Sequence, residues 1–216
     1  MARLPIPFYE QTLDFTCGPS CLLMALGRYD PKLPLTQAHE VSIWREATLV
    51  EVGATSRYGL ALAAWRRGHR ARIVANVDGI AFRRRIMMKF PEIDHKFMEF
   101  LWADLRQKCR DAGIPEERRD VTPEDLDRVL DAGEVGIVLT DTSKFGDDEA
   151  YAHWIVLSGR EGDEYLFANP LKDLAPELRV PRDRLPEVIG YQNDQLLVVV
   201  GPRRADFRPD MAAGPF

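Results

Sequence analysis

The run Gln11-Thr12-Leu13-Asp14-Phe15-Thr16-Cys17-Gly18-Pro19-Ser20-Cys21 decides how this chain is read. It closes a Pro- and aromatic-rich stretch and opens a helical pattern whose apolar face is Leu22, Leu23, Ala25 and Leu26. Thr16 or Asp14 is the expected cap, because a short oxygen side chain satisfies the free N–H groups of a first turn. Gly27 is the expected stop. A helix's first turn favours an anion, and thiolate is the nucleophilic form of cysteine, so the position draws the Cys17 pKa down. Gly18 removes a side chain where a substrate carbonyl has to approach. Pro19 suits a turn with no intrahelical N–H bond to lose. Gln11 is spaced to set its amide beside the Cys17 N–H as the second donor of an oxyanion hole. Alone, the run reads as a capped core helix with a small buried cysteine, which is what most lone cysteines are.

Working outward, Thr36 starts a second helix to about Arg45, and Ser56 caps a third through Trp65 that ends at Gly68. Residues 71–77 alternate as a strand. From Arg83 to Arg119 the chain is charged and helical, with Phe97, Leu101, Leu105 and Cys109 as one buried stripe. Thr122-Pro123-Glu124-Asp125 is a helix start: a capping hydroxyl, a proline in the first turn, then acids at the positive end of the dipole. That helix ends at Gly133. Val135–Thr140, His153–Ser158, Tyr165–Ala168 and Leu196–Val200 follow as strands. Helices first and strands later predict an α+β fold with two halves facing across a groove. One domain over 1–202 is expected, with a charged helical insertion at about 80–120 and a loosely held tail over 203–216.

The strands supply the rest of a site. His153 opens an apolar strand after a polar loop, and Tyr165–Ala168 ends at Asn169-Pro170. A tight turn at Glu161–Asp163 between antiparallel neighbours brings His153 and Asn169 together. Asn169 then fixes one imidazole nitrogen and leaves the other for a thiol. Asp141 is a rival for that orienting role. Trp154 either shields the base or fills the core, and Thr55-Ser56-Arg57-Tyr58 is a candidate rim that touches substrate.

As an ordered set, these motifs resemble the stand-alone bacterial C39-like cysteine peptidases, of the papain-like superfamily, over roughly residues 8–200. The resemblance implies a papain-like fold, with the nucleophile helix of a helical half packed on a C-terminal antiparallel sheet. Residue by residue it implies Cys17 as nucleophile, His153 as base, Asn169 as orienter and Gln11 in the oxyanion hole; the residues themselves offer Gly18, Ser56 and Trp154 as candidates to touch substrate. The chain departs from the family at Asn169, where aspartate is usual, and at Ala152, where proline is frequent.

The implied activity is acyl chemistry on a peptide or amide bond through a thioester at Cys17, most simply that of a peptidase or amidase. An acyl- or aminoacyl-transferase can use the same site, and a silent peptide-binding module is the reading from another class. No metal or organic cofactor is called for. Asp147, Asp148 and Glu149 suggest a basic substrate.

Bulk properties set the bounds. The chain has 216 residues, 45% hydrophobic and 29% charged, with a formal charge of −5. That offers no broad basic field for nucleic acid, and the arginines at 66–72 and 83–85 read as solvated faces. No apolar run is long enough to span a bilayer. The N-terminus has no signal-peptide pattern, so the expected compartment is the cytoplasm. Three cysteines at these spacings build neither a disulfide framework nor a zinc pattern. Cys21 and Cys109 read as core, and His39, His69 and His95 as surface residues.

Overall fold

Eight strands form one sheet in the computed structural model, which describes residues 2–49, 53–77, 94–172 and 174–207. The arginines at 83–85, the start of the charged insertion, residues 208–216 of the tail and the side chain of His95 lie outside the described residues.

The helices are α1 (Cys17–Tyr29), α2 (Gln37–Ala47), α3 (Arg57–Arg66), α4 (His95–Asp111), α5 (Pro123–Asp131) and α6 (Leu185–Val188). The strands are β1 (Ala2–Arg3), β2 (His69–Ala75), β3 (Glu116–Arg118), β4 (Val135–Asp141), β5 (Ala152–Glu161), β6 (Glu164–Ala168), β7 (Glu177–Pro181) and β8 (Leu196–Arg203). Their order across the sheet is β3-β2-β8-β4-β5-β6-β7, with β1 pairing on β5. Pairing is antiparallel except between β2 and β3. The fold is mixed α+β, as the pattern predicts, but β2 from the helical half joins the sheet next to β8.

Alternation sorts each strand's side chains to two cores. Trp154 and Val156 of β5 face a core built with α1–α4, whereas Ile155 and Leu157 face a second core with α5 and α6. Helix α1 is buried from Gly18 to Gly27, so its apolar residues pack on every side.

Several local expectations change. Thr16 occupies the cap position but its side chain makes no cap bond; its hydroxyl turns to the Leu13 carbonyl and to Glu40. Gly27 does not stop α1. A Cβ there would stand 2.7 Å from Pro7 Cγ, so the glycine serves close packing. The α4 stripe is Met98, Trp102, Leu105 and Cys109, with Phe97 exposed. His69 is buried beneath Tyr29 with Nδ1 at 3.1 Å from the Gly201 carbonyl, because the strand β2 begins there. In the described part of the tail, Arg204 is held, donating its backbone N–H to Gly68 O at 2.7 Å and stacking 4.2 Å from the Trp65 ring. The short strands β1, β3 and β7 carry no periodicity long enough to be read in advance. Ser56 and Thr36 do cap their helices, accepting from Gly59 N and His39 N, each cap being worth about 1 kcal/mol.

Candidate active site

Strand β6 begins to pair with β5 only at Val156, so the β5 edge at Trp154 lacks a strand neighbour on that side. The first turns of α1 fill the gap with two thiols. Cys21 Sγ donates to the Trp154 carbonyl at 3.1 Å. Cys17, half-buried, lies within reach of the Trp154 N–H and of the N–H groups of Gly18 and its own residue. Burial pushes the Cys17 thiol up, and these three N–H groups pull it back only in part. The expected lowering at a helix start is therefore real but smaller than the cost of taking a thiolate out of water. Cys21 is pushed further up, by burial and then by the neighbouring Cys17.

His153 precedes Trp154 and is 4% exposed. Its Nε2 lies 2.8 Å from Asn169 Oδ1. The orientation of the Asn169 amide follows from its other partners: Oδ1 accepts the Leu171 N–H at 3.1 Å, and Nδ2 donates to the Ala175 carbonyl at 3.0 Å. Oδ1 is therefore an acceptor, Nε2 must carry the imidazole proton, and Nδ1 is the basic nitrogen. Burial pushes the His153 pKa down, opposed by the Asn169 hydrogen bond and then by the charge of Asp147. The thiol is shifted up and the imidazole down, so burial disfavours the charged form of each. Asp141 is occupied elsewhere, accepting from Ser143 N and Oγ.

Gln11 joins the halves through its backbone, whose N–H donates to the Pro170 carbonyl at 2.9 Å. Its side-chain Nε2 donates to Leu13 O at 3.0 Å, and Oε1 is buried without a partner. The segment 9–20 is anchored from behind by a residue the sequence did not mark. Glu40, fully buried in α2, accepts from Tyr9 Oη, from Thr12 N and Oγ1, from Thr16 Oγ1 and from Ser20 Oγ. Burial raises its pKa, but the hydroxyls of Thr12 and Thr16, the Thr12 N–H and Tyr9 together hold it below the ordinary carboxylate value. A glutamate early in an amphipathic helix carries no sequence signal for this; only the docking of α2 on α1 creates it.

A pocket of about 290 Å³ opens beside Cys17, walled by Thr55, Ser56, Arg57, Trp102 and Trp154. Trp154 lines this pocket while its side chain packs in the core, and Ser56 lines it while capping α3. Gly18 does not line it: a Cβ there would meet Thr55 Oγ1 at 2.2 Å and Trp154 Cδ1 at 3.1 Å, so protein fills the space left for substrate in the sequence reading. Asp147, Asp148 and Glu149 are not on this wall either. Among the described residues no cluster could hold a metal ion, and no helix is long and apolar enough to cross a membrane.

Residues 6–197 match the Peptidase_C39 like family. The chain belongs to that family. Among solved structures, this C39-like chain is similar to a double glycine motif protease from an AMS/PCAT transporter in complex with the leader peptide, at 13% identity and a TM-score of 0.50, covering 93% of this chain and 94% of that one. It is also similar to the peptidase domain of Streptococcus ComA, a bi-functional ABC transporter involved in a quorum sensing pathway. There the identity is 11% and the TM-score 0.48, over 94% and 100% of the two chains. A search of curated proteins returns no match. At such identities the likeness concerns the papain-like peptidase fold. The C39-like family and that fold support a peptidase-type cysteine hydrolase.

Proposed function

We propose that this C39-like chain carries out acyl chemistry on a peptide or amide bond, with Cys17 as nucleophile, His153 as base, Asn169 as the positioning residue for His153, and Gln11 with the Cys17 N–H as the oxyanion donors. The observation that carries the reading is the buried His153 Nε2–Asn169 Oδ1 bond of 2.8 Å, one residue from the strand edge that meets Cys17. It fixes the tautomer that leaves Nδ1 to take a proton.

Because burial disfavours the charged form of both groups, proton transfer accompanies attack. Nδ1 takes the Cys17 proton as Sγ bonds to the carbonyl carbon. The tetrahedral oxyanion collapses, the C–N bond breaks, and His153 returns the proton to the leaving amine. The resulting thioester is resolved by water in a peptidase or amidase and by an amine in a transferase. Gln11 has to turn a free N–H of Nε2 toward the oxyanion for its part. A peptide is the substrate class suggested by the leader peptide bound to the similar transporter protease. Three free cysteines suit a reducing compartment, which supports the cytoplasm as the site of action.

The test is Cys17 alkylation by iodoacetamide against pH, with mass spectrometry locating the adduct, in wild type and His153→Ala. The expected rate in wild type rises with deprotonation of His153, below the ordinary imidazole value of about 6.5, and stays high at neutral pH. A single rise above about 8.5, the profile of a free thiol, unchanged by His153→Ala, would sink the reading. Hydroxylamine trapping on a peptide library then separates hydrolysis from transfer by competition with added amines.

A further inference from the structure

We propose that Arg57 binds a carboxylate of the substrate, so that the chain presented to Cys17 is acidic. This rests on Cys17 being the nucleophile, though the pocket itself stands on separate observations.

Arg57 is the first residue of α3, 4% exposed, yet it lines the pocket that holds Cys17. A buried guanidinium has a charge to neutralise and five N–H groups to satisfy. Among the described residues, all of its hydrogen bonds leave from Nη2: to Tyr58 Oη at 3.0 Å, to the Val77 carbonyl at 3.0 Å and to Glu116 Oε1 at 3.3 Å. Its Nε is buried with no partner. Glu116 does not settle the charge alone, since it also faces Arg106 Nε at 3.5 Å and accepts from Tyr58 Oη at 2.5 Å. Among the described residues two guanidiniums share that carboxylate, which leaves one positive charge over.

The other acids of the wall do not fill this role in the same way. Asp194 is engaged in an interaction of its own, and Asp14 is exposed. The Tyr58 ring lies 4.5 Å from the Arg57 guanidinium carbon and keeps water from one face. Thr55, on the same wall, holds a second buried polar atom without a partner, its Oγ1. A carboxylate entering the pocket supplies negative charge and an acceptor to the guanidinium that lines it; a neutral side chain supplies no charge. The basic substrate suggested by residues 147–149 meets a cation here instead.

The carboxylate has two possible sources, an acidic side chain or a terminal α-carboxylate. The probes are bromoacetate, 3-bromopropionate and 4-bromobutyrate with their amides, reacting with Cys17 in the full chain of wild type, Arg57→Lys and Arg57→Gln. Rates are divided by those with free cysteine. The expected result is an acid-to-amide ratio of about tenfold or more at one chain length, the size of one charge-assisted hydrogen bond. The ratio should fall toward unity in Arg57→Gln and be partly kept in Arg57→Lys. A ratio near unity at every length in wild type, or one untouched by Arg57→Gln, overturns the proposal.

If Arg57→Gln does not fold by circular dichroism, protection of wild-type Cys17 from iodoacetamide decides. Glutarate must protect better than glutaramide. Acetyl-Ala-Glu-Ala-amide against acetyl-trialanine with a free carboxylate then names the source. Equal protection by the all-neutral acetyl-trialanine amide overturns the proposal. Failure of the nucleophile reading looks different: a free-thiol pH profile insensitive to His153→Ala, with carboxylate protection still measurable.

Discussion

Replacing Glu40 by glutamine tests whether the nucleophile segment is held by a charge or only by shape. The carboxylate is fully buried and takes five hydrogen bonds from Tyr9, Thr12, Thr16 and Ser20. Glutamine keeps one oxygen, which can still face the Thr12 N–H. Its NH₂ then meets the hydroxyls of Tyr9 and Thr12, which must rotate to accept. A hydrogen bond to a charged group exceeds a neutral one by about 1 kcal/mol, so five give an upper figure of about 5 kcal/mol. Relief of the carboxylate's desolvation cancels part of it, and about 2–3 kcal/mol of lost stability at pH 7 is expected. The assay is urea unfolding followed by tryptophan fluorescence, from pH 7 to pH 3. Because the folded-state pKa of Glu40 is lowered, its contribution is complete above the unfolded value of about 4.3 and is lost as pH falls through the folded value. The gap between wild type and Glu40→Gln should therefore be flat from pH 7 to about pH 5 and narrow below. Equal urea midpoints at pH 7, or a gap that persists undiminished to pH 3, would refute the charge argument. A parallel slowing of Cys17 alkylation is expected, since the same hydrogen bonds fix residues 9–20.

Asn169→Asp should shift two properties in opposite directions. Its second oxygen would face the Ala175 carbonyl now bonded by Nδ2, at a cost of about 1–3 kcal/mol. The new negative charge beside Nε2 favours the imidazolium, so the acid limb of the alkylation profile should move to higher pH; an unmoved limb would detach residue 169 from His153. Gly18→Ala drives a methyl into Thr55 Oγ1 and should cost about 1–3 kcal/mol. Adding Thr55→Ala should recover part of that loss in a double-mutant cycle. Simple additivity would show that the two residues do not press on each other.

The sequence carried the order of the motifs and most of the long elements. Thr36, Ser56 and the Thr122–Asp125 capping box start helices because a cap is a local bond between neighbours in the chain. The pairing of His153 with Asn169 was legible for a similar reason: a short hairpin through Gly162 fixes the register of β5 on β6. The Cys17 helix start and the family resemblance were legible as well. What failed in the sequence reading were inferences from a single residue type. Gly18 and Gly27 read as an open approach and a stop, but each is a point where another segment comes too close for a Cβ. His69 read as surface because its charged neighbours say nothing about which strand it opens.

Tertiary structure alone decided the energetics of the site. The sequence places Cys17 at a helix start, where the dipole lowers a thiol; burial against the β5 edge raises it, and burial lowers His153. Those shifts depend on how much water the packed sheet and helices exclude, which no run of neighbouring residues encodes. The same holds for Glu40 beneath the nucleophile segment and Arg57 in the pocket wall. Their partners lie on elements far apart in the chain, and a charge acquires its role only when folding strips its water and supplies or withholds a partner.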